Sequence, residues 1–401
     1  MSTLSNSANG NAKKKTADFV ILGAGVMGAS IAFHLAKRKA GRILVIDKDH
    51  VGRGGSGRSS ALIRMHYSFP PEVELAVESL KIFENWQEIV GEPGDFRKTG
   101  FVRIVAPGEG ERLKANVEMQ KNLGANAHII TRQELKELEP DWVVDDVELA
   151  AYEPDSGYCD GAGVATDFLS RAREMSVEYL PRTEVTEILL TDRRVTGIRN
   201  DRGETISAPV VIAAIGPWSR PLLARSGCDL PIETEFHHVA ILRNPPGMKG
   251  GGCACIDSGS ATYFRSDAHD KFLVGDFYGQ RGVDPDNFPQ RASDESLETL
   301  IERAARRVPA LANAEVMRGV TGVYDMTPDS RPMLGSAPGF QGVYICAGFS
   351  GMGFKISPAI GLVMSELLLD GRATTVDISA FCPGRFASGK PIRAEFEYQD
   401  D

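Results

Sequence analysis

The sequence is short of three things, and each shortage removes a class of function. It has no long basic run beyond Lys13, Lys14 and Lys15, and 45 Lys and Arg against 54 Asp and Glu leave a formal charge of −9. A nucleic-acid binder needs a basic stripe to neutralise phosphates, so that role is excluded; acidity of this size serves solubility. The six cysteines, Cys159, Cys228, Cys253, Cys255, Cys346 and Cys382, contain no CxxC pair of the kind zinc sites use. Cys253 and Cys255 have the alternation that puts two thiols on one face of a strand, which reads as buried packing, so no metal is expected. Free thiols fit a reducing, cytoplasmic compartment. Long apolar runs are also missing. The least charged stretch, residues 19–36, holds Gly23, Gly25, Gly28 and His34 and follows Asp18, so it reads as strand, turn and helix and no membrane span is expected. Residues 1–16 are Ser, Asn, Ala and Lys without an apolar core or an arginine; they are expected to be a disordered tail and neither a secretory nor a mitochondrial leader.

Glycine is abundant, at 42 of 401 residues, against a usual share of about 7%. The pattern along the chain says where it is used. Residues 18–22 form an apolar run ending in glycine, residues 26–39 read as a helix stopped by Gly41, and residues 42–46 as a second buried strand. Residues 71–90 carry apolar side chains at helical spacing behind a proline pair. Short alternating pieces then begin near residue 96. A helix is expected over residues 160–175, strands over 183–190, 195–199 and 209–215, a helix over 294–307, a strand over 343–347 and a helix over 357–369. Two textures interleave. At 401 residues the chain exceeds one small domain, and two discontinuous domains are expected: residues 17–95, 159–228 and 324–387 in one, residues 96–158 and 229–323 in the other, with residues 388–401 as a C-terminal tail.

Gly23-Ala-Gly25-Val-Met-Gly28 follows the first strand and opens the first helix. Its glycines serve a tight turn, close approach of backbone to a pyrophosphate and close packing of helix on strand, while the helix N-terminus favours the anion. Asp47 ends the second strand, where a carboxylate accepts hydrogen bonds from ribose hydroxyls. An acid there repels a 2′-phosphate, so NADP is disfavoured while NAD and FAD stay open. Residues 51–58, with four glycines in eight positions, and the turns after residues 215 and 347 are more than a simple NAD domain requires.

The array ADFVILGAGVMGASIAFHLA, SGRSSALIRMHYS, VVIAAIGPWSRPLL, MTPDSRPMLG and VYICAGFSGMGFKISPAIG, over about residues 17 to 386, resembles the D-amino-acid oxidase superfamily, especially its sarcosine oxidase and sarcosine dehydrogenase-like branch. The resemblance implies an α/β (α+β) fold in which a Rossmann-like FAD-binding domain is interleaved with an antiparallel-sheet substrate domain. It implies non-covalent FAD held by Gly23, Gly25, Val26, Met27, Gly28, Asp47 and Lys48, by Gly55, Ser56, Arg58, Ser59 and Ser60, by Val185 at the adenine, by Ala214, Gly216 and Trp218, and by Gly348, Gly351, Met352, Gly353, Phe354 and Lys355 toward the flavin. It further implies oxidation of the C–N bond of an amino acid or N-substituted amino acid by hydride transfer to flavin N5, giving an imine that hydrolyses. Arg64 and Lys355 match the pair that holds the substrate carboxylate, Arg as a planar fork and Lys as a mobile point charge. Tyr263 and Tyr324 are candidates for hydroxyl contacts.

Departures from the family pattern matter as much. Gly322-Val-Tyr324 stands where some members tether the flavin through cysteine. Gly57 replaces a histidine near the flavin, and Asp276 or Phe277 replaces one facing the substrate. His66 aligns with neither and reads as structural. The lysine that assists oxygen reduction falls at Phe272 or Leu273, beside Lys271, which leaves O2 or an electron-transfer partner open as acceptor. Phe264, Arg265 and Asp276 at the expected pocket point to a second polar group on a larger N-substituted amino acid. Three alternatives stand beside this reading: the catalytic subunit of a multi-subunit amine dehydrogenase, a non-catalytic FAD-binding assembly factor, and an NAD-dependent dehydrogenase.

Overall fold

The structure, a computed structural model, describes residues 15–245, 247–248, 252–267 and 270–398. A six-stranded sheet carries the glycine turns. Its order is Glu178–Leu180, Ile43–Ile46, Phe19–Leu22, Val210–Ala213, Val343–Ala347 and Met333–Ser336, all parallel except the last, an antiparallel edge. Phe19–Leu22 and Ile43–Ile46 are buried at every position, which is why they read as unbroken apolar runs. Helix Val26–Lys37 lies against this sheet, flanked by helices Gly161–Glu174 and Gly353–Asp370. At its crossing with the last helix a Cβ on Gly361 would fall 2.1 Å from Ser30 Oγ, so glycine sets the approach distance.

The second large sheet has nine strands. Phe101–Ile104, His128–Thr131, Leu149–Glu153, Glu233–Arg243, Ala254–Asp257, Thr262–Asp267, Lys271–Asp276, Gln280–Arg281 and Glu315–Met326 pair antiparallel, apart from Ala254–Asp257 beside Phe101–Ile104, which is parallel. Strand Glu315–Met326 runs through the expected boundary at 323/324 and so carries Tyr324 from this sheet. Helix Asp294–Arg307 packs on it through Leu297, Leu300 and Ala304, and its N-cap Ser293 accepts the Ser296 N–H at 3.2 Å.

Three sequence expectations shift. The first helix ends at Lys37 rather than residue 39, because Arg38 caps it and Lys39 turns to φ 55°. The helix expected over residues 71–90 divides at Asn85 into Pro70–Glu84 and Trp86–Ile89, where the Asn85 side chain donates to the Lys81 carbonyl and Trp86 stacks on Phe83. Lys15 and Thr16, placed in a disordered tail, instead add a parallel strand to Thr205–Ser207; the rest of that expected tail lies outside the described residues. At the other terminus the described part of the tail is docked: Ile392 N–H donates to Asp329 Oδ2, Asn116 donates to the Phe396 carbonyl, and Tyr398 is buried.

Candidate active site

A cavity of about 470 Å³ runs between the two large sheets, from the turn after Leu22 to Lys355. Its first end is made of backbone. Gly23, at φ +99°, donates its N–H to the Ile46 carbonyl, and a Cβ there would lie 2.4 Å from the Ala214 carbonyl oxygen. A Cβ on Gly28 would lie 1.9 Å from the Gly23 carbonyl oxygen. Gly28 therefore does not line the cavity; it lets helix and turn touch. Ser56 Oγ accepts the Val26 N–H at 3.0 Å, so this side chain satisfies one of the amides that a helix N-terminus leaves open. Asp47 is fixed at the cavity edge because Oδ2 accepts the Ala24 N–H at 2.7 Å and Oδ1 the Asp49 N–H at 2.8 Å. Burial raises the Asp47 pKa above the usual carboxylate value against the pull of those amides.

The middle is closed by contacts between the two regions. Arg58 donates to the Thr321 carbonyl and to Gln290 Oε1, with its guanidinium over the Phe288 ring. Lys48 pairs with Asp286 and lies 4.0 Å from the Trp218 ring centroid, while Trp218 Nε1 donates to the same Asp286 oxygen at 2.9 Å. Residues 285–290, absent from the sequence-based site, thus form part of the wall. Their sequence signal is Pro285 and Pro289 alone, which mark any loop.

At the far end the groups are side chains. Gly351, at φ +84°, sits so close to Tyr324 that a Cβ would meet its ring at 2.8 Å. Tyr324 hydrogen-bonds Tyr263, which lies behind it over Gly275. The buried Asp325 accepts the Gly348 N–H at 2.5 Å, and burial pushes its pKa up to about 6. Lys355 is buried in the first turn of the last helix; burial and then the nearby Arg64 charge push its pKa well below the ordinary lysine value, and among the described residues no carboxylate counters them. Arg64 itself does not line the cavity. Its Nη1 donates to the His66 carbonyl, its guanidinium covers the Tyr67 ring at 4.3 Å, and its buried Nε has no hydrogen-bond partner among the described residues.

Gly23, Gly25, Val26, Met27, Asp47, Lys48, Gly55, Ser56, Arg58, Ser59, Ser60, Val185, Ala214, Gly216, Trp218, Tyr324, Gly351, Gly353, Phe354 and Lys355 line this single cavity. Gly348, Met352 and Tyr263 stand behind its wall together with Gly28 and Arg64. Arg265 and Asp276 are engaged by protein: Arg265 donates to the Ser60 carbonyl and pairs with Asp267, and Asp276 meets His237 and His238. The expectation that both face a second polar group of the substrate does not hold. His66 is buried with Nε2 2.9 Å from the Tyr398 hydroxyl, a structural placement. Sequence reasoning missed Asp325 and the Glu235–His237–Asp276 cluster. The Glu-Phe-His alternation at residues 235–237 does place Glu235 and His237 on one strand face, but their third partner depends on strand register.

Over residues 18–367 the chain matches the family described as FAD dependent oxidoreductase, DAO. FAD-dependent oxidoreductase domain-containing protein 1 of Mus musculus is 27% identical over 424 residues, covering 94% of this chain and 86% of that protein. Sarcosine oxidase subunit beta of an Arthrobacter species is 27% identical over 389 residues, covering 94% and 93%. The crystal structure of L-proline dehydrogenase from P. horikoshii superposes with a TM-score of 0.87 at 28% identity, covering 94% of this chain and all of that one.

Proposed function

The chain belongs to the DAO family of FAD dependent oxidoreductases, and on that premise we propose that it oxidises the C–N bond of an amino acid carrying a secondary or N-substituted amine to an imine, which water hydrolyses. The cofactor is FAD, and the residues present fit it: a glycine turn that a Cβ would fill, a carboxylate at the end of the second strand, and an unbroken cavity onward to Lys355. Gly23, Gly25 and Asp47 would hold its adenosine half, Asp47 keeping lone pairs for ribose hydroxyls. Gly351, Gly353 and Phe354 would back the flavin half. When bound, FAD supplies the acceptor for the two electrons and hydrogen that leave the substrate.

One observation carries the substrate reading. Lys355 is a buried amine whose neighbour in charge is the cation Arg64, and among the described residues no carboxylate acts on it, the buried Glu153 being within reach of Arg64 instead. An isolated buried charge is costly. A substrate carboxylate supplies the missing counter-ion, with Lys355 as the contact and Arg64 as the charge behind it. The substrate would then be held by its acid group with the C–N bond toward the glycine turn, and orientation supplies much of the rate. A secondary amine is favoured by two similar proteins, one named for sarcosine and one for L-proline.

The test is turnover and affinity in Lys355→Met and Arg64→Met proteins that retain FAD, on a panel containing sarcosine, proline and bulkier N-substituted amino acids. We expect kcat/KM to fall by roughly a hundredfold for Lys355→Met and less for Arg64→Met. Losses below roughly threefold in both remove the carboxylate assignment. A second reading, in which a partner subunit takes the electrons, is favoured by the similarity to a beta subunit; oxygen consumption by the isolated protein argues against it.

A further inference from the structure

Behind Tyr324 lies a buried charged cluster that the proposed reaction does not use. The His237 ring stacks on Tyr324 with centroids 4.1 Å apart and 28° between planes. Its Nδ1 is 3.1 Å from Asp276 Oδ1, and its Nε2 is 3.0 Å from Glu235 Oε1. All three side chains are less than a tenth exposed. The strands bring them together: Glu235 lies directly opposite Tyr324, while Asp276 comes from the other neighbouring strand. Tyr324 faces the cavity at Gly351, and Tyr263 holds its hydroxyl.

We propose that His237 is a positioning residue for the reaction: an imidazolium set between Glu235 and Asp276, it fixes the Tyr324 ring that walls the flavin end and offsets one of the two carboxylate charges buried behind that wall. Carboxylates 3.1 Å and 3.0 Å from opposite ring nitrogens favour protonation of both, Nδ1 through a hydrogen bond to Asp276 and Nε2 through the charge of Glu235, with which it is not aligned for a hydrogen bond. A cation on the face of an aromatic ring is attracted to it, and more strongly once water is excluded. The ordinary alternative is a packed histidine of no electrostatic consequence. Burial pushes the His237 pKa down, but Asp276 and Glu235 outweigh it and hold it up at about 9. Other charged or titratable groups around the cluster are His238 on Asp276, Arg281 on Glu235, and the two tyrosines.

This inference rests on FAD occupying the cavity, so its test reads the flavin and the histidine separately. In FAD-loaded His237→Gln and His237→Phe proteins the midpoint potential of the flavin is expected to fall, because a charge that favours the electron-rich reduced form is gone. Binding of sulfite to the oxidised flavin is expected to weaken by roughly tenfold. The Phe variant keeps a stacking ring, so packing alone predicts no change in it. A folded, yellow variant with unchanged potential and sulfite affinity overturns the proposal, and a colourless wild-type protein would instead refute the FAD reading. Should neither variant fold, 15N-histidine NMR of the wild-type protein decides: a doubly protonated buried ring at pH 8 is expected, and a neutral ring at that position overturns the proposal.

Discussion

At the end of the cavity holding Gly23 and Asp47, the wall is a glycine turn whose backbone is tied to protein acceptors, and one carboxylate held by main-chain amides. At the end holding Lys355, the wall is made of side chains such as Tyr324, Asp325 and Lys355, with His237 behind Tyr324, and several have displaced pKa values: Lys355 lowered, Asp325 raised, His237 raised. The first arrangement suits recognition, since backbone at a tight turn is rigid without side-chain ordering. The second suits chemistry, since buried titratable groups respond to charge that appears and disappears. One end should therefore fail by losing the cofactor, and the other by losing turnover while keeping it.

The largest effect that could break this contrast comes from Gly28→Val. Its Cβ would overlap a backbone oxygen at 1.9 Å that the turn cannot move. We expect destabilisation of at least about 3 kcal/mol by urea unfolding, with no flavin absorbance surviving desalting. Gly25→Ala meets only the Ser56 hydroxyl, at 3.1 Å, and should keep the fold while weakening FAD binding. A yellow, stable Gly28→Val protein would show that the backbone end carries less than supposed.

Next in size is a pH effect with opposite signs within the same end. His237 has a folded-state pKa of about 9 against 6.5, so it adds stability that is complete below pH 6.5 and lost as pH rises through 9. That difference amounts to something on the order of 3 kcal/mol. Lys355 has a lowered folded-state pKa, so its burial costs stability that is recovered as pH rises. The difference in unfolding free energy between wild type and His237→Gln should shrink from pH 6.5 to 9. Lys355→Met, which replaces a buried cation by a chain of similar length, should be at least as stable as wild type at neutral pH. A pH-independent difference for His237→Gln would mean that the ring is neutral.

The same contrast governs what could be read from sequence. The first end is local: a strand, Gly23, Gly25, Gly28 and Asp47 within thirty residues announce their geometry, because Gly23 must take a positive φ and Gly28 must touch the Gly23 carbonyl within one turn. The second end is not local. Lys355 and Tyr324 were legible beside glycine-rich turns and through resemblance, but Glu235, His237 and Asp276 meet only because strand Glu233–Arg243 pairs with Lys271–Asp276 on one side and Glu315–Met326 on the other. A shift of one residue in the pairing with Glu315–Met326 would part His237 from Tyr324, and one in the pairing with Lys271–Asp276 would part it from Asp276. Arg64 shows the converse: its position matched, but its side-chain direction depends on the His66 carbonyl and the Tyr67 ring, which no spacing encodes.

The smallest expected effect tests the seam between the two regions. Lys48, Trp218 and Asp286 meet at the cavity edge, with Asp286 62% exposed and Lys48 34% exposed. An ion pair so open to water is worth at most about 1 kcal/mol, so Asp286→Ala should leave the unfolding midpoint almost unchanged. Its effect should appear in kinetics. Asp286 belongs to the nine-strand region's loop, whereas Lys48 and Trp218 follow strands of the parallel sheet, so the contact ties the wall of one region to the floor of the other. Removing it should speed FAD release by roughly threefold at low salt, with the difference fading as salt screens the remaining charges. Stopped-flow measurement of flavin release in wild type and Asp286→Ala checks this directly. Equal rates at low salt would mean that the cofactor is retained by the glycine end alone, and that the seam is only a surface contact.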